Sequence, residues 1–338
     1  MAAPAQQVST RARWQLHNFD RITPMRLRMR TETLSTLPQP RAGPDADVVR
    51  LLGWNTGEPI AEERYLQLLS DPRFPQAARA LAVNMLAVAA ANEALDGIFK
   101  DAGRYLASMW AIYLHLSGGL TLPRLKQVCA ESGFLSSGRA RDLLRLLLHL
   151  EFIEKLGPAG GRRPARYAPT ATFMAAWRSH LEAALRAARV LEPAVDRVLD
   201  ALDSQEVLET LARIQSESLL AAAKTSDQSW AFTRVFLHRH AGNQIAWTLM
   251  TAGEEGAFPS EASAPINIAE MSRRFGVSRI HIRRLFDDAG REGLLRWRDG
   301  AVVLEPAART QIQFIYAAQL VQLLAAAAGT IRERPELS

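Results

Sequence analysis

Two stretches of this chain follow one plan, and a repeated plan limits the fold more than composition does. The first reads "LTLPRLKQVCAESGFLSSGRARDLLRLLLHLEFIEKL", then a glycine-rich turn and "ARYAPTATF". The second reads "INIAEMSRRFGVSRIHIRRLFDDAGREGLLRWRDG", then "AVVLEPAART". Long helical segments flank both. Laid on their apolar stripes, Ala140 falls on Ile282, Leu143 on Leu285, Leu144 on Phe286, and Phe152 and Ile153 on Leu294 and Leu295, with one constant offset. The turns agree as well, Gly133 and Ser136 against Gly276 and Ser278, although the first turn is a residue longer.

The second copy shows the local logic. Asn267, followed three residues later by Glu270, reads as a capping-box-like start of a short helix with Ile268, Met271 and Phe275 on one face. Gly276 supplies the backbone freedom needed just past a helix end, and Ser278 can cap the next helix. On that helix Ile282, Leu285, Phe286 and Ala289 form the inward stripe. Arg279, Ile280, His281, Arg283 and Arg284 are then left outward, near its amino end. A helix of this kind suits the major groove, where arginine meets guanine edges or phosphates and isoleucine a thymine methyl. The plainer alternative is a solvated arginine face on a helix pair that never touches DNA.

The segment after each helix pair narrows the class. "GLLRWRDGAVVLEP" reads as strand, Asp299-Gly300 turn and strand, a wing with Arg296 and Arg298 beside it. In the first copy "KLGPAGGRRPARYAP" has a longer tip carrying Arg162, Arg163 and Arg166. The first copy's second helix starts near Ser136 and exposes Ser137, Gly138, Arg139, Arg141, Asp142 and Arg145. Basic wing tips can reach phosphates or the minor groove. The copies differ in charge, so the expected DNA site is asymmetric.

In this order of parts, with "GLL" or "EFI" leading to a wing and a long carboxy-terminal helix, the sequence resembles the MarR family of winged helix-turn-helix transcriptional regulators. The likeness covers roughly residues 62–190 and again 200–330. It implies a double-stranded DNA-binding regulator whose flanking helices make the dimer interface. Two modules in one chain depart from the family and imply a monomeric pseudo-dimer, with a homodimer as the other option. Its two recognition helices would stand about one DNA turn, roughly 34 Å, apart. "IAEMSRRFGVSRIHIRRLF" alone is also similar to the helix-turn-helix of AraC-type regulators, which do not usually carry a wing after it. Tandem winged helices resemble plasmid replication initiators too, and a protein-binding scaffold is the third class left open.

The expected fold is mainly α with small β-wings: tandem winged helix-turn-helix modules packed through long flanking helices. A length of 338 residues suits two or three domains. The expected divisions are a basic, proline-containing arm over 1–50 and modules over 51–190 and 191–338. In the arm, "RITPMRLRMR" alternates Met25, Leu27 and Met29 with arginines, the period of a strand with one basic face. Net charge is +6, almost all from arginine. That leaves anionic partners open, although a GC-rich genome writes arginine and alanine whatever the function. Cys129 is the sole cysteine, which suits a reducing cytoplasm. No signal-peptide core and no stretch long and charge-free enough to span a bilayer is read, so a cytoplasmic protein with no membrane association is expected.

Enzyme signatures are missing from the sequence: no phosphate loop, no zinc-protease helix motif, no dinucleotide-binding glycine fingerprint. His238 and His240, two apart on an expected helix, cannot both face one metal. Asp287 and Asp288, like Glu254 and Glu255, are neighbours whose side chains diverge. No cofactor and no catalytic residue is expected. Trp110, Tyr113, Trp230, Phe236 and Trp247 lie on helices preceding the two units; aromatics at such spacing pack a core more often than they line a pocket. The MarR resemblance implies the other option, a site for a small aromatic effector.

Overall fold

The computed structural model describes residues 45–55, 61–132, 136–157, 164–225, 230–253, 256–298 and 300–337. It is mainly helical, with two small three-stranded antiparallel sheets. Residues 1–44 of the expected arm with its alternating strand-like segment, Gly133, the first wing tip with Arg162 and Arg163, Glu254, Glu255 and Asp299 fall outside the described residues, whereas 45–50, expected to belong to the arm, are helical.

In chain order the first half comprises α1 (Asp45–Leu52), α2 (Glu62–Leu69), α3 (Phe74–Ala91), α4 (Glu93–Phe99), α5 (Ala102–Leu116), β1 (Leu120–Thr121), α6 (Leu122–Glu131), α7 (Ser137–His149), β2 (Ile153–Leu156), β3 (Arg166–Pro169) and α8 (Ala171–Ala188). The second half comprises α9 (Asp196–Asp200), α10 (Gln205–Thr225), a π-helical turn (Thr233–Leu237), α11 (Gly242–Thr251), β4 (Ala264–Pro265), α12 (Ile268–Phe275), α13 (Arg279–Arg291), β5 (Leu295–Arg298), β6 (Ala301–Leu304) and α14 (Pro306–Glu333). Helix starts fall where short polar side chains can close the first turn. Asn92, Asp101, Thr121, Ser136, Thr170, Asn267 and Ser278 each accept a hydrogen bond from a first-turn backbone N–H.

The repeat extends to strand register. Each sheet has a short strand ahead of the helix pair, then a hairpin, and the last strand sits in the middle: orders β1-β3-β2 and β4-β6-β5. Leu120 pairs with Tyr167 as Ala264 pairs with Val302, and Leu156 pairs with Arg166 as Arg298 pairs with Ala301. Two stretches with little identity thus reach one strand–helix–helix–strand–strand plan, because their buried positions coincide.

Helix α14 runs through the shared core, packed against α10, α2, α1, α8 and α3. Its middle and carboxy-terminal turns, from Leu320 to Ile331, are buried all round, not along one stripe. A helix apolar on every side belongs in an interior. By length and composition α3 and α14 are apolar enough to cross a bilayer, against the expectation from sequence. In α14, 78% of that apolar window is buried within the protein. Its many alanines are apolar and small, so they add to that hydropathy and let neighbouring helices approach closely.

Polar ties also cross the expected division near residue 190. Arg50 pairs with Glu192 at 2.6 Å, and Trp54 donates from Nε1 to the other Glu192 oxygen at 3.0 Å. Gln244 donates to Asp96 at 2.6 Å, and Arg332 to the Leu52 carbonyl at 2.8 Å. Residues 42–338 form one unit by their contacts.

Candidate nucleic-acid interface

In the second copy the local chemistry develops as the sequence indicates. Asn267 Oδ1 accepts from the Glu270 N–H at 3.0 Å. Gly276 takes φ +63, the left-handed region that suits glycine, and Ser272 Oγ donates to the Val277 carbonyl at 2.6 Å to close the turn. Ser278 Oγ then accepts from the His281 N–H at 3.1 Å. Helix α13 buries Ile282, Leu285, Phe286 and Ala289 and leaves Arg279, Ile280, Arg283 and Arg284 exposed. Ile280 is 60% exposed, a large apolar side chain held in solvent beside three arginines. None of those three arginines is in an ion pair among the described residues.

His281 differs from the expectation of an outward base reader. It is half-buried, and its Nε2 lies 2.8 Å from the main-chain oxygen of His240. A carbonyl only accepts, so Nε2 carries the proton and the ring acts as a strut. On the hairpin, Arg296 pairs with Glu305 at 2.6 Å, whereas Arg298 is exposed at the strand end. Trp297 packs its ring on Phe286 at 5.7 Å, fixing the hairpin to α13.

The first copy is less free to reach out. Ser137 and Arg141 are exposed on α7, and Arg145 faces Asp142 at 3.7 Å in a solvated pair worth little. Arg139 is drawn back: its guanidinium lies 3.2 Å from Asp101, whose carboxylate is 2% exposed, caps α5 and also meets Arg104 at 3.2 Å. Arg166 is exposed on β3.

The two copies meet at a corner that local sequence patterns do not reveal. Asp101 holds Arg139 at the start of α7, and the neighbouring Lys100 places its Nζ 3.7 Å from where a Cβ on Gly276 would stand. The exposed turn His238–Arg239–His240 adjoins them, His238 near Asp101 and Arg139 and His240 near Lys100, Arg104 and Asp101. Arg239 pairs with Asp288 of α13 at 2.6 Å, and the His240 and His281 rings are 6.5 Å apart. The histidines read from sequence as too divergent for a metal occupy the junction of the two basic helices. Only contacts distant in sequence bring them there.

The five aromatics do not converge. Trp110 faces Tyr113, Trp230 faces Phe314, Phe236 faces Phe232, and Trp247 meets Phe99 edge-on, with ring centroids 4.9–6.3 Å apart. Trp110, Phe236 and Trp247 are buried. A groove of about 390 Å³ lies elsewhere, between α13 and β5, lined by Phe286, Asp287, Gly290, Arg291, Leu295 and Trp297. The Cys129 thiol is buried and pushed up to about 12, so it remains protonated and unreactive. Among the described residues no cluster of histidine, cysteine and carboxylate side chains could hold a metal ion. No family model, curated protein or solved structure matches this chain, so the likeness to MarR-type regulators rests on its residue pattern alone.

Proposed function

We propose that the chain is a sequence-specific double-stranded DNA-binding transcriptional regulator, built as two winged helix-turn-helix units in one polypeptide. One observation carries the reading: the strand–helix–helix–strand–strand plan occurs twice in matching register, and α13 holds Arg279, Ile280, Arg283 and Arg284 exposed at its amino-terminal half. Many other arginines in the chain are paired with carboxylates, Arg50, Arg213 and Arg334 among them. Exposed arginines beside a solvent-facing isoleucine match a major groove, which offers guanine acceptors, thymine methyls and phosphates within one helix width.

The unit with α13 reads the sequence, and the unit with α7 adds Arg141, Arg145 and backbone contacts. Both helix amino ends lie within a side chain's length of the adjacent residues Lys100 and Asp101. That favours sub-sites well inside the roughly 34 Å of a full turn. The aromatic effector is left out of the proposal, since the five aromatics line no common cavity. Selection from random duplex DNA at about 150 mM salt tests the reading, because non-specific phosphate binding is weakened there. An enriched, asymmetric and continuous motif is expected. Absence of enrichment would overturn it in favour of a protein-binding scaffold, and a perfect inverted repeat would overturn the asymmetric division of labour.

A further inference from the structure

The turn between the π-helical segment and α11 is built, not loose. Ala241 takes φ +58, in the left-handed region where a non-glycine residue is uncommon. At Gly242 a Cβ would stand 2.0 Å from the Phe236 carbonyl oxygen, so the backbone closes on itself too tightly for any side chain. The ion pair of Arg239 with Asp288 and the bond from His281 to the His240 carbonyl fasten the turn to α13. The turn is thus strained and doubly anchored, and it leaves both histidines partly in solvent and partly desolvated.

Cations outnumber carboxylates around it. His240 faces Arg104, Lys100 and Asp101 from the α4–α5 corner and His281 from α13; His238 faces Asp101 and Arg139. Burial first, and then for His240 the repulsion of Arg104 and Lys100, holds both imidazoles below the ordinary histidine range. The nearby carboxylates are already engaged. Asp101 meets Arg104 and Arg139, Asp96 meets Lys100 and Gln244, and Asp288 meets Arg239 and Arg291. The same pairs hold Lys100, Arg104, Arg139 and Arg239, but Asp101 and Asp288 each face two cations, which leaves the corner a cationic excess flanked by titratable rings, between two helices that point basic side chains outward.

We propose that the His238–Arg239–His240 turn, with Lys100 and Arg104 beside it, is a binding site for one backbone phosphate of duplex DNA lying between α7 and α13. The inference rests on the DNA-binding reading above and adds a third contact to it. A phosphate placed there opposes the effects that keep the rings neutral, so the histidines take up protons as DNA binds. Histidine pKa values are therefore higher in the complex than in the free protein. Affinity consequently rises as pH falls through the interval between them.

The test is fluorescence anisotropy of the full chain with a labelled mixed-sequence duplex, in phosphate-free buffer over a series of salt concentrations, with ionic strength matched between the two pH values at each. Wild type, His240→Gln and Lys100→Gln are compared at about pH 7.5 and about pH 5.5, with circular dichroism to verify folding. Wild type is expected to bind about tenfold tighter at the lower pH, and His240→Gln to lose at least half of that gain on a logarithmic scale. Lys100→Gln should reduce the slope of log K against log salt by about 0.9. An identical pH response in wild type and His240→Gln, with an unchanged salt slope in Lys100→Gln, overturns the site while leaving the DNA-binding reading intact. Failure of the wild type to bind the duplex under any of these conditions overturns both.

Discussion

At the scale of single residues, burial separates side chains that hold the protein together from those left in solvent. Arg283 and Arg284 are exposed and enter no ion pair among the described residues. Arg283→Ala or Arg284→Ala is expected to weaken specific DNA binding by about 1–3 kcal/mol where a base contact is lost, with an unchanged melting temperature. Anisotropy against the selected motif, paired with thermal unfolding, checks both halves of that statement. His180 is the opposite case. It is buried, bonded to the Tyr105 hydroxyl at 3.1 Å, and desolvation pulls its pKa down from 6.5 to about 3. The unfolded chain binds a proton there that the native protein refuses. The contribution is thus fully present above about pH 6.5 and is lost as pH falls toward the folded value, by up to about 1.4 kcal/mol per pH unit. His180→Phe should flatten the acid limb of melting temperature against pH, and an unaltered limb would refute this assignment.

At the scale of elements, caps and turns decide where the basic helices begin, and much of this was legible in the sequence. Asn267, Gly276 and Ser278 lie where their residue types suggest, since each acts through backbone atoms within a few positions of itself. Ser278→Ala should remove the cap of α13 and lower stability by about 1 kcal/mol, read as a shifted denaturation midpoint. Arg139 and His281 point outward on a helical wheel but are held back in the fold, for one physical reason: a wheel gives direction, whereas the partner that captures a side chain comes from a remote element. Asp101 captures the first and the His240 carbonyl the second. Asp101→Asn should release Arg139 and loosen Arg104 while its Oδ1 still caps α5, and cost about 1–3 kcal/mol, because buried charge-assisted hydrogen bonds are lost. Chemical denaturation of the variant measures it.

At the scale of the whole molecule, the two copies are not independent. Helix α14, the last long element, packs against α1 and α2 from the start of the described chain, and Glu192 grips Arg50 and Trp54 across the midpoint. A fragment cut at residue 190 should therefore lack cooperative unfolding and be digested rapidly under conditions where the intact chain survives. A protease-resistant fragment with its own sharp transition would show instead that the halves fold alone. By itself the sequence determined the helix starts at Ser136, Asn267 and Ser278, the short strands after each helix pair and the buried stripes the two copies share, because period and local hydrogen bonding act over a few residues. It also marked α13 as the more basic of the two outward helices. Only the tertiary structure decided that α14 is interior on all sides, that the aromatics pack in separate places, and that Lys100, Asp101 and the 238–240 turn join the basic helices at one corner. The corner and the burial of α14 depend on contacts between residues from 38 to 280 positions apart, whose encounter is set by how whole helices share a core and leaves no trace in any local pattern.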